Sequence, residues 1–205
     1  MPKIDIPALR VLYCNIMSEI KGRHELLAEI ARGKYGLPSV AANEFIYLEL
    51  RMICELIALG CLAAHGDIPA THSGQLRKLW KPSDILERLG DLHPNFYPVP
   101  AEEEVENGYL VGAFENPAIK HLTKRELLRL YSVCGRVLHR GSMKNLSQQT
   151  VSQADFNKTK DWASKLKGLL NRHLIHLRDP QKKLYVVMRS KENDGRVTAI
   201  DLQLK

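Results

Sequence analysis

Apolar residues at helical spacing divide most of the chain into amphipathic segments. The first segment begins after Asp5, a candidate N-cap, and ends near Gly33. Four residues spaced three or four apart mark its predicted buried face, and two more extend it: Leu9, Leu12, Ile16 and Ile20, then Leu27 and Ile30. A second segment, from about residue 39 to about residue 65, is apolar on most sides, which predicts a helix at the centre of the fold.

The best-defined helix start along the chain lies at Thr123. Glu126 follows three residues later, so the two side chains can form a capping box. Leu122 and Leu127 occupy the two positions of a hydrophobic staple. We expect this helix to run to about residue 140, and a further helix to run from about residue 155 to about residue 177.

Two segments depart from the helical pattern. Residues 93–121 contain the sequence HPNFYPVP and an acidic run, which together predict a long loop insertion, with residues 109–114 compatible with a short strand. Near the C-terminus, apolar residues alternate on both sides of Asp194-Gly195, which predicts a β-hairpin. The predicted fold is therefore mainly α, a helical bundle of four to five main helices over residues 1–180 with a C-terminal β-hairpin, 181–205, appended to the same domain.

The composition is that of an ordinary globular protein. The chain has 205 residues, enough to bury a core without disulfides or metal. Four cysteines lie in apolar stretches and form no CxxC pair, which predicts buried reduced thiols: Cys14, Cys54, Cys61 and Cys134. The N-terminus lacks the apolar run of a signal peptide and no apolar stretch is long enough to span a bilayer, so we expect a cytoplasmic protein without a membrane partner.

The balance of charge bears on the class of partner. The formal net charge is +7 and the sequence pI about 9.2. A basic protein favours polyanions such as RNA, DNA or an anionic membrane surface. The same charge is also compatible with solubility alone, so it does not identify a partner by itself.

Three basic residues gather at the predicted C-terminal end of the helix that starts near Thr123: Arg136, His139 and Arg140. Arg136 and His139 are three residues apart and therefore share a face. Metal-free RNA cleavage needs a group that takes the proton of a 2′-hydroxyl and a cation that stabilises the charged phosphorane. We therefore take His139 as the candidate general base or acid, Arg136 as the candidate phosphate clamp and Arg140 as a contact to the RNA backbone. The competing interpretation is a helix end enriched in cations by the helix dipole.

The central apolar helix carries one polar stripe. Arg51 and Glu55 are four residues apart on it and can form an ion pair. The stripe is either the solvated edge of a core helix or a polar wall that supports a site. Under the second interpretation Arg51 and Glu55 are candidate substrate-binding residues.

A second basic cluster lies at the end of the last predicted helix. Arg172 and His176 are candidate substrate-binding residues on this basic edge. His173 and His176 would face the same way on a helix, a spacing compatible with a metal ion, but no third ligand is evident. We therefore predict no metal and no cofactor. The common nucleotide-binding and hydrolase motifs, GxxxxGK[ST], GxGxxG, GxSxG and HExxH, are absent.

Two of these segments resemble HEPN-type helical bundles, a family that includes a group of uncharacterised bacterial proteins. They are EFIYLELRMICELIALGCLAAHGD at residues 44–67 and LTKRELLRLYSVCGRVLHRGS at residues 122–142. Active members of the family are RNases that usually work as dimers, and many are toxins or defence effectors. Their site pairs an arginine with a histidine a few residues later, whereas Arg136 precedes His139 at a shorter spacing.

The resemblance implies a metal-independent endoribonuclease or an RNA-binding component of a bacterial toxin or defence system, acting as a homodimer. The alternative is a non-catalytic interaction or dimerisation module that binds a protein partner. In that case the HPNFYPVP segment and the edge of the terminal hairpin are the expected recognition surfaces.

Overall fold

The chain folds into helices packed on a curled antiparallel sheet. The computed structural model describes residues 5–139 and 156–203. This part of the chain contains the helices α1 (Ile6–Ala31), α2 (Ser39–Ala64), α3 (Pro82–Leu92), α4 (Lys124–Leu138) and α5 (Phe156–Leu170). It also contains the strands β1 (Val99–Glu106), β2 (Tyr109–Glu115), β3 (Arg172–His176), β4 (Lys182–Val187) and β5 (Thr198–Gln203).

The sheet contradicts the predicted fold class. Its five strands run antiparallel in the order β2-β1-β3-β4-β5, so the fold is mixed α/β and not a helical bundle with a terminal hairpin. The predicted pairing of β4 with β5 is present, and the turn between them includes Asp194 and Gly195, both with positive φ. Strands β4 and β5 are two of the five strands of a larger sheet, because β3 pairs with the other side of β4.

The prediction of a long loop over residues 93–121 is wrong, although the short strand expected at residues 109–114 is present as β2. Strands β1 and β2 form a hairpin whose two turn residues are Asn107 and Gly108. Their φ angles are 51° and 84°, which are the left-handed values that a two-residue hairpin turn of type I′ requires. The acidic residues of β1 hid the strand, because a strand with one solvated face needs few apolar positions.

The helix predicted from about residue 155 to about residue 177 ends earlier than expected. Helix α5 stops at Leu170, and residues 172–176 form β3 in place of two further helical turns. Three consecutive residues of β3, His173 to Ile175, are fully buried because both faces of the strand are covered. Such a short apolar run has no periodicity that distinguishes helix from strand, so the packing of β3 between β1 and β4 decides its conformation.

Helix α2 lies at the centre, as its apolar sequence predicts, and it packs against the other four helices described. In the N-terminal half of α1 the buried face differs from the predicted one by about a third of a turn, whereas Ile20, Leu27 and Ile30 are buried as predicted. The buried residues of α1 are Tyr13, Met17, Ile20, Leu27 and Ile30. Leu12, predicted to be buried, has 47% of its surface exposed. The sequence of α1 offers two adjacent apolar faces, and the one with Tyr13 is buried because its hydroxyl bonds His173 of the sheet.

The two faces of the sheet have different coverings. One face packs on the helices and contributes Ile175, Leu184 and Val186 to the main core. The other face holds a small separate cluster around Leu174 and Tyr185, both fully buried. The β1–β2 hairpin covers part of this second face. The Tyr185 hydroxyl of β4 donates a 2.9 Å hydrogen bond to Glu103 of β1, and because β3 lies between these two strands, β1 must curl over that face.

Helix α4 begins as predicted. The Thr123 hydroxyl accepts a hydrogen bond from the Glu126 backbone, and the Glu126 carboxylate accepts one from the Thr123 backbone. The segment that leads into α4 is held against α5 by a backbone bond from Leu122 to Lys165 of 3.0 Å. A Cβ on Gly168 would lie 2.0 Å from the backbone oxygen of Lys120, so only glycine permits this approach.

In the part of the chain that the structure describes, no helix is both long enough and apolar enough to cross a membrane.

Candidate nucleic-acid interface

The exposed side of α4 carries a straight row of basic residues, which we call the α4 basic stripe. Its positions follow intervals of four, three, four and three, so the side chains lie one above another on one face of the helix. They are Arg125, Arg129, Ser132, Arg136 and His139, and all five are exposed. The stripe extends over about 21 Å at the helical rise of 1.5 Å per residue. Its basic groups therefore stand roughly 5–6 Å apart or at twice that distance.

The stripe is rigid at its base and free at its tips. The opposite face of α4 is fixed in the core by Leu127, Leu130 and Cys134, none of which has any exposed surface. By contrast, none of the four basic residues of the stripe forms an ion pair or a side-chain hydrogen bond within residues 5–139 and 156–203. Their charge is therefore available to an anion outside the molecule.

The two predicted catalytic residues are the last members of this stripe. Arg136 lies in the last turn of α4 and His139 is the C-cap, whose backbone N–H donates to the Gly135 carbonyl at 3.1 Å. Both side chains are exposed, and neither lines the cavities described along α1, α3 and α5. Arg140, the predicted third cation, lies outside the described residues. The structure therefore places Arg136 and His139 in solvent at the C-terminal end of α4.

A polar cluster flanks the stripe on the side of His139. The predicted i, i+4 pair is present, with Arg51 Nε 3.3 Å from Glu55 Oε1. Tyr131 of α4 completes the cluster: its hydroxyl accepts from Arg51 Nη2 at 2.9 Å and donates to Glu55 Oε1 at 3.1 Å. The Arg51 guanidinium also stacks on the Tyr131 ring, 4.7 Å from its centroid.

The sequence did not predict a role for the Tyr131 hydroxyl, because its hydrogen-bond partners lie on another helix. The spacing of apolar residues in α4 indicates only which face of that helix is buried. Burial, followed by the nearby Glu55 carboxylate, raises the pKa of Tyr131, so its hydroxyl stays a donor at neutral pH. Arg51 packs directly against α4 at Gly135, where a Cβ would make an ordinary contact of 3.6 Å with Arg51 Nη1. The cluster thus joins α2 to α4 immediately beside the α4 basic stripe.

The other two predicted substrate-binding residues, Arg172 and His176, form contacts between strands of the sheet. Arg172 pairs with Glu103 at 3.2 Å, and His176 pairs with Glu115 at 2.8 Å. Both therefore hold the β1–β2 hairpin against the outer face of β3. The structure does not bring them to α4, so Arg172 and His176 form a group separate from Arg51 and Glu55.

The metal interpretation of His173 and His176 is not supported. Residues three apart on a strand point to opposite faces, so these two histidines cannot share a ligand. His173 is fully buried, with Nε2 2.7 Å from the Tyr13 hydroxyl and Nδ1 3.0 Å from the Leu170 carbonyl. Burial lowers the pKa of His173 to about 4, so its imidazole is neutral at pH 7 and Nε2 accepts a hydrogen bond from the Tyr13 hydroxyl. No cluster of three metal-ligating side chains occurs within the described residues.

The four cysteines are free, and three of them are buried. Burial raises the pKa values of Cys61 and Cys134 to about 12, so these thiols carry no thiolate at neutral pH. In the HPNFYPVP segment, expected to be a recognition surface, Pro94 and Asn95 are exposed but the residues after them pack inward. Phe96 is fully buried and the Tyr97 hydroxyl donates to the Leu122 carbonyl at 3.1 Å.

Comparison of the chain with protein-family models, with curated proteins and with solved structures finds no match.

Proposed function

We propose that this protein binds RNA through the α4 basic stripe. The observation that carries the proposal is the row of four exposed basic residues without any described intramolecular partner. Cations at regular intervals on a rigid helix match a phosphate backbone better than they match a single small anion. The net charge of +7 supports the same class of ligand, because it steers polyanions toward the molecule.

The proposal includes a second level, in which His139 and Arg136 cleave the bound strand without a metal. His139 would take the proton of a 2′-hydroxyl, and Arg136 would stabilise the charged phosphorane that forms at the adjacent phosphate. Arg51, held beside the stripe by Glu55 and Tyr131, would support the bound backbone. RNA is preferred to DNA here because only RNA has the 2′-hydroxyl that this chemistry uses.

Binding is tested with a fluorescently labelled single-stranded RNA in EDTA, by fluorescence anisotropy across a series of salt concentrations. Four phosphate contacts predict a slope of log K against log salt of about −2 to −3. The double variant R125Q/R129Q should reduce the magnitude of that slope by about 1.4 and weaken binding at low salt by at least about tenfold. A control variant, R178Q/K191Q, removes the same charge from exposed residues near the sheet and should bind like the wild type.

The outcomes separate the two levels of the proposal. Equal losses in R125Q/R129Q and in R178Q/K191Q would mean that net charge alone, and not the stripe, attracts RNA. Equal affinity for DNA of the same sequence would leave a polyanion site without preference for RNA. Cleavage of the RNA by wild type but not by H139A would support catalysis, whereas binding without cleavage would leave an RNA-binding protein.

The resemblance to HEPN-type bundles, and with it a role in a toxin or defence system, also stays a proposal. The two segments that carry the resemblance correspond to α2 and α4, which pack directly on each other around the Arg51–Glu55–Tyr131 cluster. The sheet lies outside both segments. Cleavage that depends on both Arg136 and His139 would support this proposal, and cleavage that survives the loss of either would oppose it.

A second candidate function is self-association through the edge of the sheet. Strand β2 is an edge strand, and three of its side chains are large, apolar and at least half exposed: Tyr109 (77%), Val111 (52%) and Phe114 (50%). Natural edge strands are usually guarded by charges or prolines, and β2 has neither before Glu115. A homodimer that pairs two β2 strands would bury these side chains.

Sedimentation velocity over a range of concentrations tests this second function. V111K places a charge on the edge and should abolish a dimer, while K191Q, remote from β2, should leave it intact. A wild-type protein that stays monomeric at about 100 µM would sink the idea, because a specific dimer interface should be populated there.

A further inference from the structure

A cavity of about 180 Å³ opens at the junction of α1, α2, α5 and the end of β4. It is separate from the α4 basic stripe and shares no residue with it. The floor consists of side chains of the main core that are at most 7% exposed: Ile20, Ile53, Leu166, Leu170 and Met188. The cavity opens to the surface, so a ligand can reach these core side chains from solvent.

The rim of the cavity is cationic. Three permanently charged side chains line it, Lys21, Lys167 and Arg189, together with His24, whose Nε2 lies 3.0 Å from the Ala163 carbonyl oxygen. Lys21 is engaged, since its Nζ donates to the Gly195 carbonyl at 2.7 Å, and Arg189 pairs with Glu25. The Lys167 side chain is exposed and forms no ion pair or hydrogen bond within the described residues, so its ammonium group is free at the mouth.

Asn171 adds a polar group beside Lys167. Its backbone is already satisfied, because the N–H donates to the Lys167 carbonyl at 2.9 Å and the carbonyl accepts from Met188 at 3.1 Å. Its side-chain amide has no described partner and lines the same rim. A ligand at the mouth would therefore meet a free ammonium group and a free amide above an apolar floor.

We propose that this cavity is a binding site for a small organic acid whose apolar part is about the size of one ring. A cavity of about 150 Å³ lined by aliphatic and aromatic side chains is large enough for benzene, so the volume here suits one ring and not two. The apolar body fills the gap over Ile20 and Ile53, which restores contacts that the empty cavity lacks. The carboxylate or phosphate accepts charge-assisted hydrogen bonds from Lys167 and an ordinary one from Asn171.

The site is tested by titrating the protein with benzoate, and with benzyl alcohol as a neutral molecule of matching shape, while the isoleucine methyl groups are followed by NMR. Both should give saturable shifts at Ile20 and Ile53, with benzoate binding about tenfold more tightly because of its charge. K167Q should reduce benzoate affinity to that of benzyl alcohol and leave benzyl alcohol unchanged. K160Q removes the same charge from the same helix about two turns away and should change neither.

A cavity-filling variant completes the test. L166F should occupy the gap and abolish the binding of both molecules. If L166F fails to fold, K167Q still decides the matter, because Lys167 is exposed and its loss leaves the core intact. The proposal is overturned if neither molecule gives a saturable shift at these isoleucines up to about 20 mM, a weak limit for ligands this small. It is equally overturned if benzoate binds K167Q and wild type alike.

Discussion

Helix α4 and the β1–β2 hairpin both present charged surfaces to solvent, but they use their charges in opposite ways. The basic residues of the α4 basic stripe have no described partners, while Leu127, Leu130 and Cys134 on the opposite face are fully buried. Two carboxylates of the hairpin are engaged instead, because Glu103 bonds Arg172 and Tyr185, and Glu115 bonds His176 and Lys183, whereas Glu104 and Glu106 stay exposed. The hairpin leaves apolar side chains exposed.

The difference indicates which surface serves which purpose. A charge that is paired within the molecule contributes to the fold and offers little to a ligand, whereas an unpaired charge on a rigid helix can be neutralised by an anion. The ion pairs of Glu103 and Glu115 therefore hold the hairpin on the sheet, and its exposed apolar edge is the part that a partner could contact. Helix α4 is positioned by its apolar face and available through its charges.

The largest expected effect comes from breaking the connection between the two regions. Residues Ile119 and Lys120 link the hairpin to α4, and they pass against Gly168. G168A should lower the free energy of unfolding by about 1–3 kcal/mol, because its methyl group overlaps a backbone oxygen. Urea denaturation measures the loss.

The matched control for that change is G22A. Gly22 also lies within a helix, but nothing stands within 4 Å of the position that a Cβ would take. G22A should therefore gain about 0.5–1 kcal/mol from helix propensity. If G168A gained as much as G22A, the close contact between α5 and the linking segment would be wrong.

A smaller effect distinguishes the N-terminal cap of α4 from the ion pairs of the hairpin. Lys165, followed by the Thr123 backbone, lowers the pKa of Glu126 to about 2. A carboxylate whose pKa is depressed in the folded protein stabilises it above the unfolded value of about 4.3, and this contribution is lost as the pH falls toward 2.

The difference in unfolding free energy between wild type and E126Q should therefore be about 1–2 kcal/mol at pH 6 and close to zero at pH 2. Urea denaturation at a series of pH values measures it. E115Q serves as the comparison, because Lys183 and His176 lower the pKa of the more exposed Glu115 and its loss should matter less. A pH-independent difference for E126Q would contradict the assignment.

The smallest effects sharpen the comparison through two tyrosine hydroxyls. Y185F removes a hydroxyl from a fully buried side chain that holds the hairpin, and should cost about 1 kcal/mol without changing RNA affinity. Y131F removes one from the half-buried cluster beside the stripe, and should cost about 0.5 kcal/mol because water can replace it. Y131F should weaken RNA binding more than Y185F does, and the reverse order would place the RNA elsewhere.

Local signals account for the parts of the fold that the sequence predicted correctly. The capping box at Thr123 and the apolar length of α2 are decided by residues close together in the chain. The Asp194-Gly195 turn is another local signal, and Asn107-Gly108 carries the same signal for the hairpin that was missed. There the flanking glutamates obscured the alternation. The conformation of β3 had no local signal, since its neighbours in the sheet come from distant segments.

The candidate site shows the same division. Exposure of Arg136 and His139 follows from the amphipathic pattern of α4, and the Arg51–Glu55 pair follows from helical spacing. The addition of Tyr131 to that pair depends on how α2 and α4 pack, which periodicity cannot give. Arg172 and His176 lie away from α4 because they belong to strand β3. Since the sequence did not predict β3, it could not predict their position either.

The order of strands in the sheet has a consequence for the time course of folding. Strand β1 pairs with β3 only at Val99 and Pro100, and β3 is made after both α4 and α5. The β1–β2 hairpin can form quickly from neighbouring residues, yet it must wait for this long-range closure before it has a place in the sheet. We expect its backbone amides to gain protection from hydrogen exchange later than those of α2. Until then a nascent chain exposes both edges of a hairpin rich in apolar side chains, which is the interval in which it is most prone to aggregate.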